Sequence, residues 1–150
     1  LWVVGCAVGG RTDMLRVIGI MSGRVAVLVL CTFFRGFLVA AIADHQKAAF
    51  KKQTQSHNTT SFITTGLWAY SRHPNYFGEV LVWLGLALVA FPALSGWQYL
   101  TLVSPVFTYL LLRYVSGVPI LEERADEKWG HLEDYKNYKK ETPIFFPKFK

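Results

Sequence analysis

Five polar side chains crowd one proline in the segment GLWAYSRHPNYFGE at residues 66–79: Arg72, His73, Asn75, Tyr76 and Glu79. The chain then turns apolar up to residue 94. Ionised and amide groups at the mouth of a membrane helix are costly, and they persist where they bind a ligand or hold the structure together. Proline suits the first turn of a helix, where its missing N–H is no loss. With Pro74 there, Asn75 and Glu79 stand one turn apart on one face, and Arg72 lies just outside the helix. An ordinary helix start needs only Pro74 and Asn75, so the surplus points to binding.

Two further clusters carry matching chemistry. Asp44, Lys47 and Lys51 recur at i, i+3 and i+7 and share a helix face. Glu122 and Arg124 lie upstream of the pair Tyr135 and Tyr138. Taken alone, the first is a solvated helix face, the second a surface helix, and the tyrosines interfacial packing. Taken with Arg72, His73, Asn75, Tyr76 and Glu79, they offer cations for phosphates, hydrogen-bonding amides and hydroxyls, and carboxylates to accept from ribose hydroxyls. That set suits a large anionic nucleotide cofactor, with arginine able to bind phosphate in bidentate fashion. GxGxxG, Walker A, GxSxG and HExxH patterns are absent, which argues against Rossmann, P-loop, hydrolase and zincin chemistry. Cys6 and Cys31 read as small buried hydrophobes. His45, His57, His73 and His131 lack metal-ligand spacing, so no metal site is expected.

The elements that must position these groups are membrane helices. The chain has 150 residues, one domain's worth, and is 52% hydrophobic with positive mean hydropathy. The apolar residues are clustered, as in a membrane protein. Trp68, Trp83, Trp97 and Trp129 sit where interfacial anchors would. The net charge of +6 fits the positive-inside rule. No basic face on a soluble scaffold is visible, so nucleic acid is not an expected partner, whereas a lipid bilayer and a hydrophobic small molecule are.

Residues 1–9 read as the tail of a helix whose beginning is missing, which makes the chain the C-terminal part of a longer protein. Residues 9–13 form a turn. Residues 17–43 make the first membrane helix, in which Arg35 either snorkels or pairs structurally, or contacts a polar cavity. Helical spacing continues over 44–52, and 53–65 is a polar loop. Residues 76–94 form the second span and 97–115 the third, kinked at Pro105. Ser116–Pro119 ends it, and 121–140 is an amphipathic helix outside the bilayer. The loop 44–75 and the tail 116–150 lie on one side and hold most of the basic residues, while the turn between the second and third spans holds no charge, so both face the cytoplasm. The expected fold is all-α: a polytopic transmembrane helix bundle with a cytoplasmic amphipathic C-terminal helix, lacking its N-terminal helices, in a single membrane domain over 1–150.

The ordered motifs ADHQK, GLWAYSRHPNYFGE, SGVPILE, Tyr-x-x-Tyr and Thr-x-x-Phe-Phe-Pro, over residues 43–147, resemble the C-terminal domain of the steroid 5-alpha-reductase-like family. The resemblance implies an integral membrane reductase of the endoplasmic reticulum. Such an enzyme takes hydride from NADPH and reduces a carbon–carbon double bond conjugated to a carbonyl in a lipid or steroid-like substrate. It also implies that Asn75, Glu79 and Asp44 contact the cofactor. Lys47 or Lys51 would hold phosphates, and Glu122 with Tyr135 or Tyr138 would match the family's tail. Ala40 stands where relatives often carry a carboxylate or amide, which loosens the site. The family's substrate-polarising residues lie in earlier helices, and no residue here is assigned as general acid. RHPNY, Glu122-Glu123 and the paired tyrosines are also similar to isoprenylcysteine carboxyl and phospholipid methyltransferases, which bind S-adenosylmethionine. ADHQK, Gly78-Glu79 and the TPIFFP ending favour the reductase. A non-catalytic membrane protein keeping the fold is the third alternative.

Overall fold

The computed structural model describes residues 23–56 and 61–148, and its regular elements are helical, with no strand among the described residues. The apolar stretch 1–9, the 9–13 turn, Cys6, His57 and Lys150 lie outside the described residues. Helix α1 spans Gly23–Ser56, 34 residues, about 51 Å at 1.5 Å per residue. No proline interrupts it. The hydroxyls of Thr32 and Thr54 donate to the carbonyls of Leu28 and Phe50, each at 2.9 Å, so neither is left unpaired. Residues 53–56 belong to this helix, not to the expected polar loop, because Gln and Thr can follow an established helix without breaking it.

Helix α2 spans Pro74–Ala90, with Pro74 at its first position, and passes into a 3-10 turn over Phe91–Ala93. The expected third span is not one kinked α-helix. It is a 3-10 helix over Gly96–Val103, then α3 over Ser104–Leu110, then a π-helical turn over Leu111–Val115. Pro105 falls in the first turn of α3, where it needs no N–H partner, so it starts a segment rather than bending one. Helix α4 covers Val118–Trp129 and α5 Glu133–Glu141. The amphipathic helix expected over 121–140 is therefore two helices. The Gly130 N–H closes on the Asp126 carbonyl at 2.8 Å, and the chain then turns through Leu132. Among the described residues, three helical stretches are long and apolar enough to cross a membrane: Ala26–Gln55, Pro74–Ala93 and Gly96–Trp129.

The described chain forms two compact units. The first comprises residues up to Phe37 and Glu79–Tyr109. Its buried residues include Val29, Ala87, Ala90 and Leu94. A side chain at Gly85 would sit 2.8 Å from the Phe33 backbone, so only glycine allows α1 and α2 to approach this closely. Much of the remaining apolar surface, including Leu28, Phe34 and Trp97, is exposed. Cys31, expected to be buried, is exposed too. An apolar residue on a membrane helix faces lipid as readily as core, so hydrophobicity does not report burial there. Arg35 is also exposed.

The second unit comprises Leu38–Gly78 and Leu110–Lys150. Its centre holds Ala43, Trp68, Ser71, His73, Pro74, Val118, Tyr135 and Phe145. Trp68, expected as an interfacial anchor, is only 5% exposed. Its indole N–H donates to the Ala43 carbonyl at 3.1 Å, which fixes it as a core residue.

Candidate functional site

The turn before α2 is strapped down by the C-terminal segment. Ser71 Oγ donates to the Phe145 carbonyl at 2.9 Å. The Arg72 N–H donates to the Pro143 carbonyl at 2.9 Å and the Lys148 N–H to the Tyr70 carbonyl at 3.1 Å. The Thr-Pro-Ile-Phe-Phe-Pro ending thus holds the backbone from which Arg72 and His73 project. Gly117 lets the start of α4 approach: a Cβ there would lie 2.6 Å from the Leu112 carbonyl and 2.9 Å from the Tyr76 ring.

Glu122 on α4 gathers the cations. The Arg72 guanidinium donates to its Oε2, and His73 Nε2 lies 2.9 Å from its Oε1. Lys139 on α5 reaches Oε2 at 3.3 Å and the Asp126 carboxylate at 2.6 Å. The phenol of Tyr135 donates to Asp126 at 3.0 Å, and that of Tyr138 to the Trp68 carbonyl at 2.6 Å. Burial, outweighing the nearby Arg72 charge, pushes the Tyr138 phenol well above its ordinary value, so it stays a neutral donor. Burial and the hydrogen-bonded, negatively charged Asp126 do the same to Tyr135.

A cavity of about 280 Å³ opens in this unit. Lys47, Arg72, His73, Glu122, Arg124, Lys128, Tyr135 and Tyr138 line it, with Phe62, Trp68 and Trp129 among its apolar walls. Lys47 Nζ sits 5.3 Å from the centre of the Trp68 ring, and Lys128 Nζ 4.8 Å from that of Trp129. Phe62 meets Trp129, Tyr135 and Tyr138 at ring separations of 6.0, 5.2 and 5.6 Å. Four cationic side chains thus face one carboxylate, and that carboxylate is engaged by Arg72, His73 and Lys139. A carboxylate can only accept, so His73 Nε2 carries the proton shared with Glu122. Arg72 Nε, His73 Nδ1 and Trp129 Nε1 are buried without a hydrogen-bond partner.

The structure brings together Lys47, Arg72, His73, Glu122, Tyr135 and Tyr138 of the residues singled out in the sequence. Asp44 and Lys51 are exposed on α1 and do not line the cavity, nor does Asn75, whose Oδ1 is buried and unpaired. Tyr76 stacks on His73 with ring centres 5.6 Å apart and planes 11° from parallel. Glu79, exposed, belongs to the first unit. Phe62, Trp68 and Trp129 were not foreseen as wall residues. For Phe62 and Trp129 the signal was present, since each is a lone aromatic within a polar or charged stretch, whereas Trp68 lies among Leu67, Ala69 and Tyr70 and carried none. Among the described residues, no cluster of His, Cys, Asp and Glu could hold a metal ion.

A family model described as "Protein of unknown function (DUF1295)" matches residues 8–142. Delta(14)-sterol reductase of Saccharomyces cerevisiae is 28% identical over 127 residues, covering 77% of this chain and 26% of the relative. 3-oxo-5-alpha-steroid 4-dehydrogenase 1 of Bos taurus is 34% identical over 107 residues, covering 70% of this chain and 36% of the relative. The chain spans about a quarter to a third of the length of these curated relatives. No solved structure matches it. With the family model covering nearly all of its length and two sterol and steroid enzymes among its relatives, the chain belongs to the DUF1295 family and is similar to steroid 5-alpha-reductase-like proteins.

Proposed function

We propose that this chain forms the cofactor-holding part of a membrane reductase that uses NADPH to reduce a double bond conjugated to a carbonyl in a sterol-like lipid. The observation that carries the reading is the cavity of about 280 Å³ walled by aromatic rings and by Lys47, Arg72, Arg124 and Lys128. Its size suits one end of a dinucleotide, since pockets for whole drug-sized ligands run to several hundred Å³. The cations exceed the available carboxylate charge, which favours a phosphate-bearing ligand. The buried, unpaired Arg72 Nε and Trp129 Nε1 are donors that an acceptor-rich ligand would satisfy. The similarity to a sterol reductase and a steroid dehydrogenase supports the substrate class.

NADPH, when bound, supplies the hydride. The chain's own residues position and neutralise. Glu122 fixes the Arg72 guanidinium in one orientation, so little side-chain freedom is lost when an anion arrives. Lys47, held over the Trp68 ring, and Arg124 and Lys128, one turn apart on α4, supply further charge. Tyr138 and Tyr135 remain protonated and can donate. In this reading the chain is one membrane domain, with residues 44–75 and 116–150 on the cytoplasmic side of the endoplasmic-reticulum membrane, where the soluble cofactor is available. The basic residues of these segments support that orientation.

Purified chain in detergent is titrated with NADPH, NADH and S-adenosylmethionine while thermal unfolding is followed. At 100 times Kd a ligand adds about 2.7 kcal/mol, which for a chain of this size is about 5–10 °C in Tm. A rise with NADPH and none with S-adenosylmethionine is expected. Stabilisation by S-adenosylmethionine alone would make the chain a methyltransferase, and silence to all three ligands would leave a non-catalytic protein that has kept the fold.

A further inference from the structure

We propose that Gln46 is a positioning residue of the nucleotide site, a latch that sets the 3-10 turn carrying Trp68 and, through it, Arg72; the link to nucleotide binding rests on the reading above. Gln46 lies on α1, one residue before Lys47, and is half-buried. Its Oε1 accepts the Leu67 N–H at 3.0 Å across 21 residues of chain. The turn it grips, Gly66–Ala69, starts from Gly66 at φ +64°, a left-handed conformation that glycine adopts without strain. Gly66 is required a second time by the latch itself. A Cβ there would fall 2.5 Å from Gln46 Nε2 and 2.6 Å from its Cδ, so the amide would have to swing off the Leu67 N–H.

The consequences run directly to the cavity wall. One residue past the bonded Leu67, the Trp68 indole donates to the Ala43 carbonyl, three residues before Gln46. Lys47 packs over the same ring. The Trp68 carbonyl accepts the Tyr138 phenol, and the backbone of Ser71 closes onto the Leu67 carbonyl at 3.2 Å, immediately before Arg72. Trp68, Lys47, Tyr138 and Arg72 all line the cavity, whereas Gln46 does not. Gln46 therefore acts through them.

The test is a double-variant cycle on the full chain, with Gln46→Ala, Gly66→Ala and the two combined, reading both NADPH Kd and Tm. Because each single change breaks the same Gln46–Leu67 bond, Gln46→Ala is expected to raise Kd about tenfold, the loss of roughly one bond to a half-buried N–H. Gly66→Ala should do at least as much. The pair should be no worse than Gly66→Ala alone, since the clash with the Gln46 amide is gone. Leu94→Val, which thins the buried core of the first unit, should lower Tm and leave Kd unchanged, separating positioning from general loss of stability. Multiplying effects in the double variant, or an unchanged Kd in Gln46→Ala, would overturn the latch. If the parent chain does not bind NADPH, the nucleotide reading fails by itself, and the same non-additivity in Tm still decides whether the latch exists.

Discussion

Replacing Glu122 by glutamine should be among the most damaging single changes in the second unit. The Glu122 carboxylate is the shared partner of Arg72, His73 and Lys139, and the Arg72 and Glu122 side chains are only 9% and 17% exposed. Glutamine keeps the shape but removes the charge and presents an N–H to groups that are themselves donors. Removing one partner of a buried ion pair costs about 3–5 kcal/mol, because the other charge is left uncompensated. The residual exposure of Glu122 puts the expectation at the lower end, about 3 kcal/mol, or about 6–12 °C in Tm for a chain of this length. Circular dichroism melts in detergent would measure it. Two companions isolate the cause. Arg72→Met in the Glu122→Gln background should recover part of the loss by removing the stranded cation. Glu133→Gln, which breaks the exposed Lys136 pair, should leave Tm unchanged. A Glu122→Gln shift within that of Glu133→Gln would refute the claim that this carboxylate organises the site.

Arg72→Lys retains a cation for Glu122 but loses Nε and the planar fork, so it should weaken NADPH binding in the thermal-shift titration more than it lowers the Tm of the unliganded chain. Tyr138 should make stability fall at high pH. Its folded-state phenol is raised by burial above the ordinary value of about 10, so the unfolded chain releases the proton first. The contribution is fully present below pH 10 and declines as pH rises above it. Melts between pH 8 and 11 should show this decline, and Tyr138→Phe should reduce it while costing about 1 kcal/mol at neutral pH for the lost bond to the Trp68 carbonyl. Gly117→Ala forces a Cβ against the Leu112 carbonyl and the Tyr76 ring, and should cost about 1–3 kcal/mol in a denaturant titration.

Local chemistry was legible in the sequence wherever it depends on neighbours along the chain. Apolar stretches of sufficient length marked the three helical runs that, among the described residues, are long enough to span a bilayer. Pro74 marked the start of α2, and Asp44, Lys47 and Lys51 share the helix that their spacing requires. Arg72 and His73 stood out because a plain helix start has no use for them. Hydropathy could not divide the third span into 3-10, α and π segments, because all three windings expose the same apolar side chains. It also misjudged Cys31, since lipid and core reward the same residue types.

Tertiary structure alone decided what each polar group faces. Glu122 could have accepted from a ribose hydroxyl, yet it lies against Arg72, His73 and Lys139, and those contacts span 17 to 50 residues of sequence. Trp68 could have anchored the chain at an interface, yet its N–H closes on Ala43 and its ring forms a cavity wall. The TPIFFP ending, a motif without evident chemistry, proves to be the strap on Ser71 and Arg72. Residue types and spacing determine which bonds a segment can offer. Which partner takes each bond depends on segments that meet only after the helices pack, and no periodicity encodes that meeting.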